Sequence, residues 1–212
     1  MKLIIVGGNS QLISNFLKLD LEIFYKEVFI ISHRKLRSKS HHNIIENLNP
    51  NKILQTIIRI CSDNLFSYDI IFSNTPPLDS DFNNEKTREW SMTILKMINT
   101  ISFNKNINKA IYVGSCLPLL PLYHDSIYKR IKDLEMRCYF DLNYQDFSKN
   151  SYFILPPLKS QNKVITNLIS ENYQKWSLEI YKELKLKNSI VFPSGLIGLI
   201  TKILFIIRFK KL

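Results

Sequence analysis

The sequence predicts an α/β fold: a doubly wound parallel sheet in a single domain, closed by an apolar and basic C-terminal helix. Three observations predict it. Short runs rich in β-branched residues alternate with stretches of helical periodicity, the pattern of successive βαβ units. No internal repeat or long linker interrupts that alternation, and 212 residues fit one domain. The chain is 45% hydrophobic, enough to bury a sizeable core. The domain is expected over residues 1–193, with residues 194–212 as a separate amphipathic tail.

Lys2 to Val6 is read as the first strand, Gln11 to Leu19 as a helix, and Glu27 to Ser32 (EVFIIS) as the second strand. The segment His41 to Glu46 is either a short strand or a loop, and only one strand is assigned between Glu22 and Leu48. Leu48 to Cys61 carries Leu54, Ile57, Ile58 and Cys61 at helical spacing. Tyr68 to Ser73 (YDIIFS) reads as a strand and Glu85 to Ile101 as a long helix. Ala110 to Ser115 reads as a strand, Asp125 to Leu142 as a helix, and Ser151 to Leu155 as a strand ended by Pro156-Pro157. Glu179 to Leu184 belongs to a helix and Ser189 to Phe192 to a last strand. Right-handed crossovers would bring the Val6-Gly7-Gly8 turn and the ends at Ser73 and Ser115 to one edge.

The formal net charge is +11, which suits nucleic acid, an anionic membrane or a phosphorylated substrate. Its distribution discriminates. Cations cluster in His33 to Lys39 and at Arg208, Lys210 and Lys211, with no basic helix or RNA-binding aromatic motif between them, so nucleic acid is the least supported partner. The three cysteines, Cys61, Cys116 and Cys138, form no CxxC pair, which reads as a reduced chain; no metal site is assigned. Cys116 is expected to be a packing residue, not a nucleophile. Residues 1 to 8 open directly with a strand pattern, so a cytoplasmic protein is expected, with the inner membrane face as an alternative location.

Chemistry concentrates in Tyr128-x-x-x-Lys132. On a helix the two side chains share one face. A neighbouring ammonium favours the phenolate and draws a phenol's pKa down from about 10, making it a usable acid or base. Ser115, closing Lys109 to Ser115 (KAIYVGS), stands at the carboxyl end of a strand, where open parallel sheets place ligand-handling residues. By themselves, Tyr and Lys one turn apart more often mark a solvated helix face.

Ser115, Tyr128 and Lys132, with the tyrosine thirteen positions after the serine (128 − 115 = 13), resemble the Ser-Tyr-Lys signature of the short-chain dehydrogenase/reductases, a family of NAD(P)-binding Rossmann folds. The resemblance implies that Tyr128 exchanges a proton with a carbonyl or alcohol while hydride moves to or from a nicotinamide. It implies that Lys132 tunes the tyrosine and meets the nicotinamide ribose, and that Ser115 orients the substrate oxygen. Gly7, Gly8, Asn9, Ser10, Gln11 and Leu12 occupy the place of the glycine-rich turn. Of the glycines expected at its first, fourth and seventh positions, only Gly7 is kept, with Ser10 and Ile13 at the others. Backbone N–H groups there can still face a pyrophosphate, but Ile13 is expected to tilt the helix or hold it off the sheet.

The resemblance further places His33, Arg34 and Lys35 at the adenosine end, where Arg34 would pair with a 2′-phosphate. NADP(H) is therefore expected over NAD(H). Asn47-Leu48 resembles the acidic-apolar pair that meets adenine, Ser73-Asn74-Thr75 the Asn-Ala-Gly beside the cofactor, and Pro156-Pro157 the Pro-Gly of the nicotinamide pocket. Trp90-Ser91 lies near the place of the family's active-site asparagine, which puts its proton relay in doubt; Asn99 is too far along to replace it.

Gly195 to Leu212 (GLIGLITKILFIIRFKKL) has apolar stretches shorter than the ~20 residues that span a bilayer. It suits an interfacial helix on anionic headgroups, or a helix packed on its own domain or on a dimer mate. The segment Lys159 to Trp176 is short, implying an open substrate pocket. The expected function is an NADP-preferring oxidoreductase, with a sugar nucleotide or lipid-linked sugar of surface-polysaccharide synthesis as its candidate small-molecule substrate. The alternative is a catalytically inactive dinucleotide sensor or a membrane-associated scaffold of the same fold.

Overall fold

In the computed structural model, the described residues are 1–7, 10–32, 41–45, 50–73, 84–120, 127–142, 149–156, 172–185 and 190–209. They form seven strands, β1 (Lys2–Val6), β2 (Glu27–Ser32), β3 (His42–Ile45), β4 (Tyr68–Phe72), β5 (Ile107–Ser115), β6 (Asn150–Leu155) and β7 (Ile190–Val191). Six α-helices accompany them: α1 (Gln11–Phe16), α2 (Pro50–Ile60), α3 (Asn84–Phe103), α4 (Ile127–Leu142), α5 (Tyr173–Glu183) and α6 (Gly195–Phe209). The strands make one sheet in the order β3-β2-β1-β4-β5-β6-β7. Every neighbouring pair is parallel. The α/β, doubly wound reading therefore stands.

Side-chain alternation along each strand divides the core into two layers. Leu3 and Ile5 of β1 pack with Leu12, Ile13 and Phe16 of α1 and with Trp176 and Ile180 of α5. Ile4 and Val6 pack on the opposite face, in the cluster that holds α2, α3, α4 and Phe205 of α6. Strands β1, β4 and β6 are buried along their whole length, which explains why they read as continuous apolar runs instead of alternating ones.

Several boundaries differ from expectation. His42–Ile45 is a strand, the parallel edge partner of β2, so two strands and not one lie between Glu22 and Leu48. Helix α1 ends at Phe16 because the following N–H groups turn back to i−3 carbonyls, Lys18 to Asn15 at 3.2 Å and Leu19 to Phe16 at 3.1 Å. Helix α2 starts on Pro50, whose fixed φ suits a first turn, and its buried stripe is Ile53 and Ile57, while Ile58 is exposed. The Ile13 side chain is fully buried in the cluster that holds Leu3 and Ile5 of β1 and Ile180 of α5. Trp176 is not part of a substrate segment: it is buried on α5, edge-on to Phe153 of β6.

A charged cluster ties β5, β6 and α5 together. Lys109 Nζ lies 3.2 Å from Glu183 Oε1, with both side chains about 5% exposed, and the Ser151 hydroxyl donates to the same oxygen at 2.7 Å. Removing one partner from such a buried pair leaves the other uncompensated, so Glu183→Ala should lower stability by about 3–5 kcal/mol in urea unfolding. A loss under about 1 kcal/mol would mean that Lys109 reaches water in the variant.

Candidate functional site at the carboxyl edge of the sheet

Strand register brings the turn after β1 and the ends of β4, β5 and β6 to one edge. Val6 is level with Phe72, and Phe72 with Tyr112, so β5 runs three residues further to Ser115, opposite Leu155. Gly7 has φ +89°, a conformation that glycine adopts without strain, and its N–H bonds Ile31 O at 2.9 Å. The Ser10 hydroxyl caps α1 by accepting from the Ile13 N–H at 3.2 Å. It also lies 3.4 Å from the hydroxyl of Ser73, which follows β4. In α1, Gln11 is exposed and Leu12 buried. This edge, with its left-handed glycine and hydroxyls from two chain ends, fits one side of a dinucleotide cleft. Gly8, Asn9, His33, Arg34, Lys35, Asn47, Leu48, Asn74, Thr75 and Pro157 lie outside the described residues.

Ser115 is buried, and its Oγ accepts from the Leu117 N–H at 3.2 Å. A hydroxyl has one donor and two lone pairs, so that bond leaves the O–H able to donate to a substrate oxygen. Pro156 follows β6 and is buried. Cys116 is fully buried, and burial pushes its thiol up to about 12, as it does for Cys61. Both are packing residues, as expected.

Helix α4 packs on β5 and on the short turn Leu117–Leu119. Tyr128 on its first turn is half-buried; Lys132, one turn on, is 3% exposed. Lys132 Nζ meets Glu135 Oε2 at 2.7 Å. Burial by itself would lower the Lys132 pKa, but the Glu135 carboxylate and then the Tyr128 phenol outweigh it and hold the ammonium above its ordinary value. Glu135 was not singled out from the sequence; its signal was the i, i+3 spacing from Lys132. It carries a chemical consequence, because a carboxylate at 2.7 Å offsets part of the positive charge that Lys132 presents on this face of α4.

Beneath this turn lies a cavity of about 30 Å³, lined by Glu135 and Tyr139 of α4, Tyr112 of β5 and Tyr152 of β6 among others. The Tyr112 and Tyr152 hydroxyls are buried without a hydrogen-bond partner among the described residues. Such a space holds about one water, and its lining has the polar groups a buried water needs. Tyr152 lies over Gly114: a Cβ there would sit 2.2 Å from the Tyr152 hydroxyl oxygen, which accounts for the glycine before Ser115. Burial and then the charge of Glu135 raise the Tyr152 phenol well above the usual range, with Tyr128 adding to the rise. Tyr128 thus lies within electrostatic range of both Lys132 and the ring that covers Gly114. On α3, Asn99 is exposed, while the side chains of Trp90 and Ser91 are outside the described set.

No protein-family model and no curated protein matches the sequence. Solved structures do match. A short-chain dehydrogenase from Burkholderia cenocepacia in complex with NADP aligns with a TM-score of 0.66 at 13% identity, covering 98% of this chain and 94% of that one. The UDP-Glc/GlcNAc 4-epimerase of Campylobacter jejuni aligns at 0.65 and 13% identity over 92% of this chain and 78% of that one. MoeE5, in complex with UDP-glucuronic acid and NAD, aligns at 0.65 and 10% identity, covering 93% and 76%. The fold is the Rossmann fold, a doubly wound parallel sheet that this chain shares with these dehydrogenases and epimerases.

With thiols near 12, Cys61 and Cys116 should resist iodoacetamide in the native protein at pH 8, where Cys138, only half-buried, reacts. Mass spectrometry should find Cys61 and Cys116 alkylated only after denaturation; rapid native labelling of Cys116 would contradict its burial.

Proposed function

We propose that the protein is a nicotinamide-dinucleotide-dependent oxidoreductase of the short-chain type, acting on a carbonyl or alcohol carbon of a sugar nucleotide or similarly large substrate. The observation that carries this reading is Tyr128 one turn before a buried, charged Lys132, on the helix packed against the end of β5. The NADP and NAD complexes and the UDP-sugar ligands of the structural neighbours support the cofactor class and the substrate class.

In this reading Ser115 donates its O–H to the substrate oxygen and fixes the carbonyl beside Tyr128. Tyr128 gives that oxygen its proton in reduction and takes it back in oxidation. Lys132 keeps a positive charge next to the phenol, and Glu135 orients the ammonium and links it to the polar cavity beneath, a route for replacing the proton where the family's asparagine is missing. The bound nicotinamide supplies or accepts the hydride. Gly7, Ser10 and Ser73 border the pyrophosphate side, and Arg34, with His33 and Lys35, selects the 2′-phosphate of NADP(H).

A second reading, a dinucleotide-binding protein without turnover, is favoured by the 2.7 Å Lys132–Glu135 pair, which already engages the ammonium, and by the reduced glycine turn. Tyr128→Phe separates the two. In the enzyme it should lower turnover of UDP-glucose or UDP-N-acetylglucosamine by roughly 10²-fold or more while cofactor binding persists. Wild-type protein that binds cofactor yet leaves a panel of UDP-sugars and simple ketones unchanged would favour the second reading.

Coenzyme choice is tested on binding alone. NADPH should quench intrinsic fluorescence at lower concentration than NADH, and Arg34→Glu should narrow or reverse the gap, since loss of a charge-assisted phosphate contact costs on the order of 1.5–3 kcal/mol. Equal affinities in both proteins would remove the assignment of Arg34.

A further inference from the structure

We propose that the outward face of α6 is a docking surface for an anionic lipid bilayer, on which the protein lies peripherally. The helix packs on its own domain, one of the expected alternatives, and has two apolar faces with different fates. One face closes the domain. Thr201 and Phe205 are buried, with Phe205 against Phe140 of α4 at 4.7 Å and against Phe192 at 5.5 Å. Gly198 lies so close to the Pro193 carbonyl that a Cβ would be 1.7 Å from its oxygen. At the far end Arg208 pairs with Asp133 of α4 and donates to Pro118 O at 3.3 Å. The helix is therefore anchored along its length, and its orientation on the domain is set.

The other face has no cover among the described residues. Leu196, Leu199, Ile200, Ile203, Ile206 and Ile207 are 40–73% exposed. Their spacing of i, i+3, i+4, i+7, i+10 and i+11 puts all six on one stripe. Scattered exposed aliphatics need no explanation, but a continuous stripe on a rigidly held helix marks a contact surface.

Length and charge select the occupant. Fifteen residues of helix rise about 22 Å, short of the ~30 Å hydrocarbon core, and none of the described helices is long and apolar enough to cross a membrane. Residues 195–212 carry Lys202, Arg208, Lys210 and Lys211 and no acidic residue. Lys202 is exposed at the flank of the stripe, where a lysine can lay its stem on the apolar surface and reach headgroups. A second copy docked face to face would set like-charged segments against each other, in a chain already at +11. Anionic headgroups complement both the cations and the aliphatic stripe. The attachment does not depend on the enzymatic reading, although the same helix grips α4 and the turn after Ser115 and so fixes the candidate site's orientation to the bilayer.

Flotation of the full chain tests it, with vesicles of phosphatidylcholine alone and of phosphatidylcholine mixed with phosphatidylglycerol. The protein should rise with the mixed vesicles, bind neutral ones roughly tenfold less, and dissociate progressively as salt increases. Combining Leu199→Ser, Ile203→Ser and Ile207→Ser should cut binding by about tenfold or more with the thermal transition kept, since these side chains are exposed. Ile206→Asp alone should weaken binding in the same direction. Wild-type protein left in the lipid-free fraction, or variants that float as wild type does, would overturn the proposal. So would a dimer in size-exclusion chromatography with light scattering that the triple variant converts to monomer, because the stripe would then belong to a second copy.

Discussion

Parallel strands cannot be joined by hairpins, so each must return across a face of the sheet, and the described helices bury apolar surface against the same seven strands. Because side chains alternate, the two faces recruit different helices among the described residues: α1 and α5 on one side, α2, α3, α4 and α6 on the other. Strand ends that all run one way place the turn after β1, Ser73, Ser115 and Pro156 along one edge. The candidate chemistry is a consequence of that alignment, since residues far apart in the chain share a cleft only when their strands share a direction.

Burying a lysine then imposes the next condition. An ammonium that is 3% exposed requires a partner, and Glu135 provides it from the same helix. The pair keeps Lys132 charged beside Tyr128. It also makes Glu135 a competitor for whatever else the ammonium would meet in the cleft.

Aromatic packing connects the site to the surface helix. Phe72 stacks on Tyr112 at 5.1 Å, Tyr112 meets Tyr139 at 5.0 Å, Tyr139 meets Phe140 at 4.8 Å, and Phe140 meets Phe205 of α6. The cavity beside Glu135, lined by Phe72, Tyr112 and Tyr139 of this row, is small. A displacement of α6 is thus felt at α4 through close contacts, since well-packed side chains have little room to absorb it.

The order of elements was legible in the sequence because strand and helix impose different apolar periods, and both are local. The Tyr128 and Lys132 pairing was legible for the same reason: one helical turn brings them together whatever the rest of the chain does. Strand β3 was legible only as an alternative to a loop, because an edge strand of four residues, His42–Ile45, buries too little to leave a clear apolar pattern. Ile13, in the place of a glycine, is fully buried in the core, a packing that no local period encodes. Trp176 was assigned to the pocket from its place in the chain, yet α5 carries it beneath β6. What the sequence determined by itself was fold class, helix faces and the residue types able to move a proton. Only the tertiary structure decided which strand lies beside which, that Tyr152 covers Gly114, and that one face of α6 is buried while the other meets solvent, because those facts depend on surfaces meeting across long stretches of chain that no local period encodes.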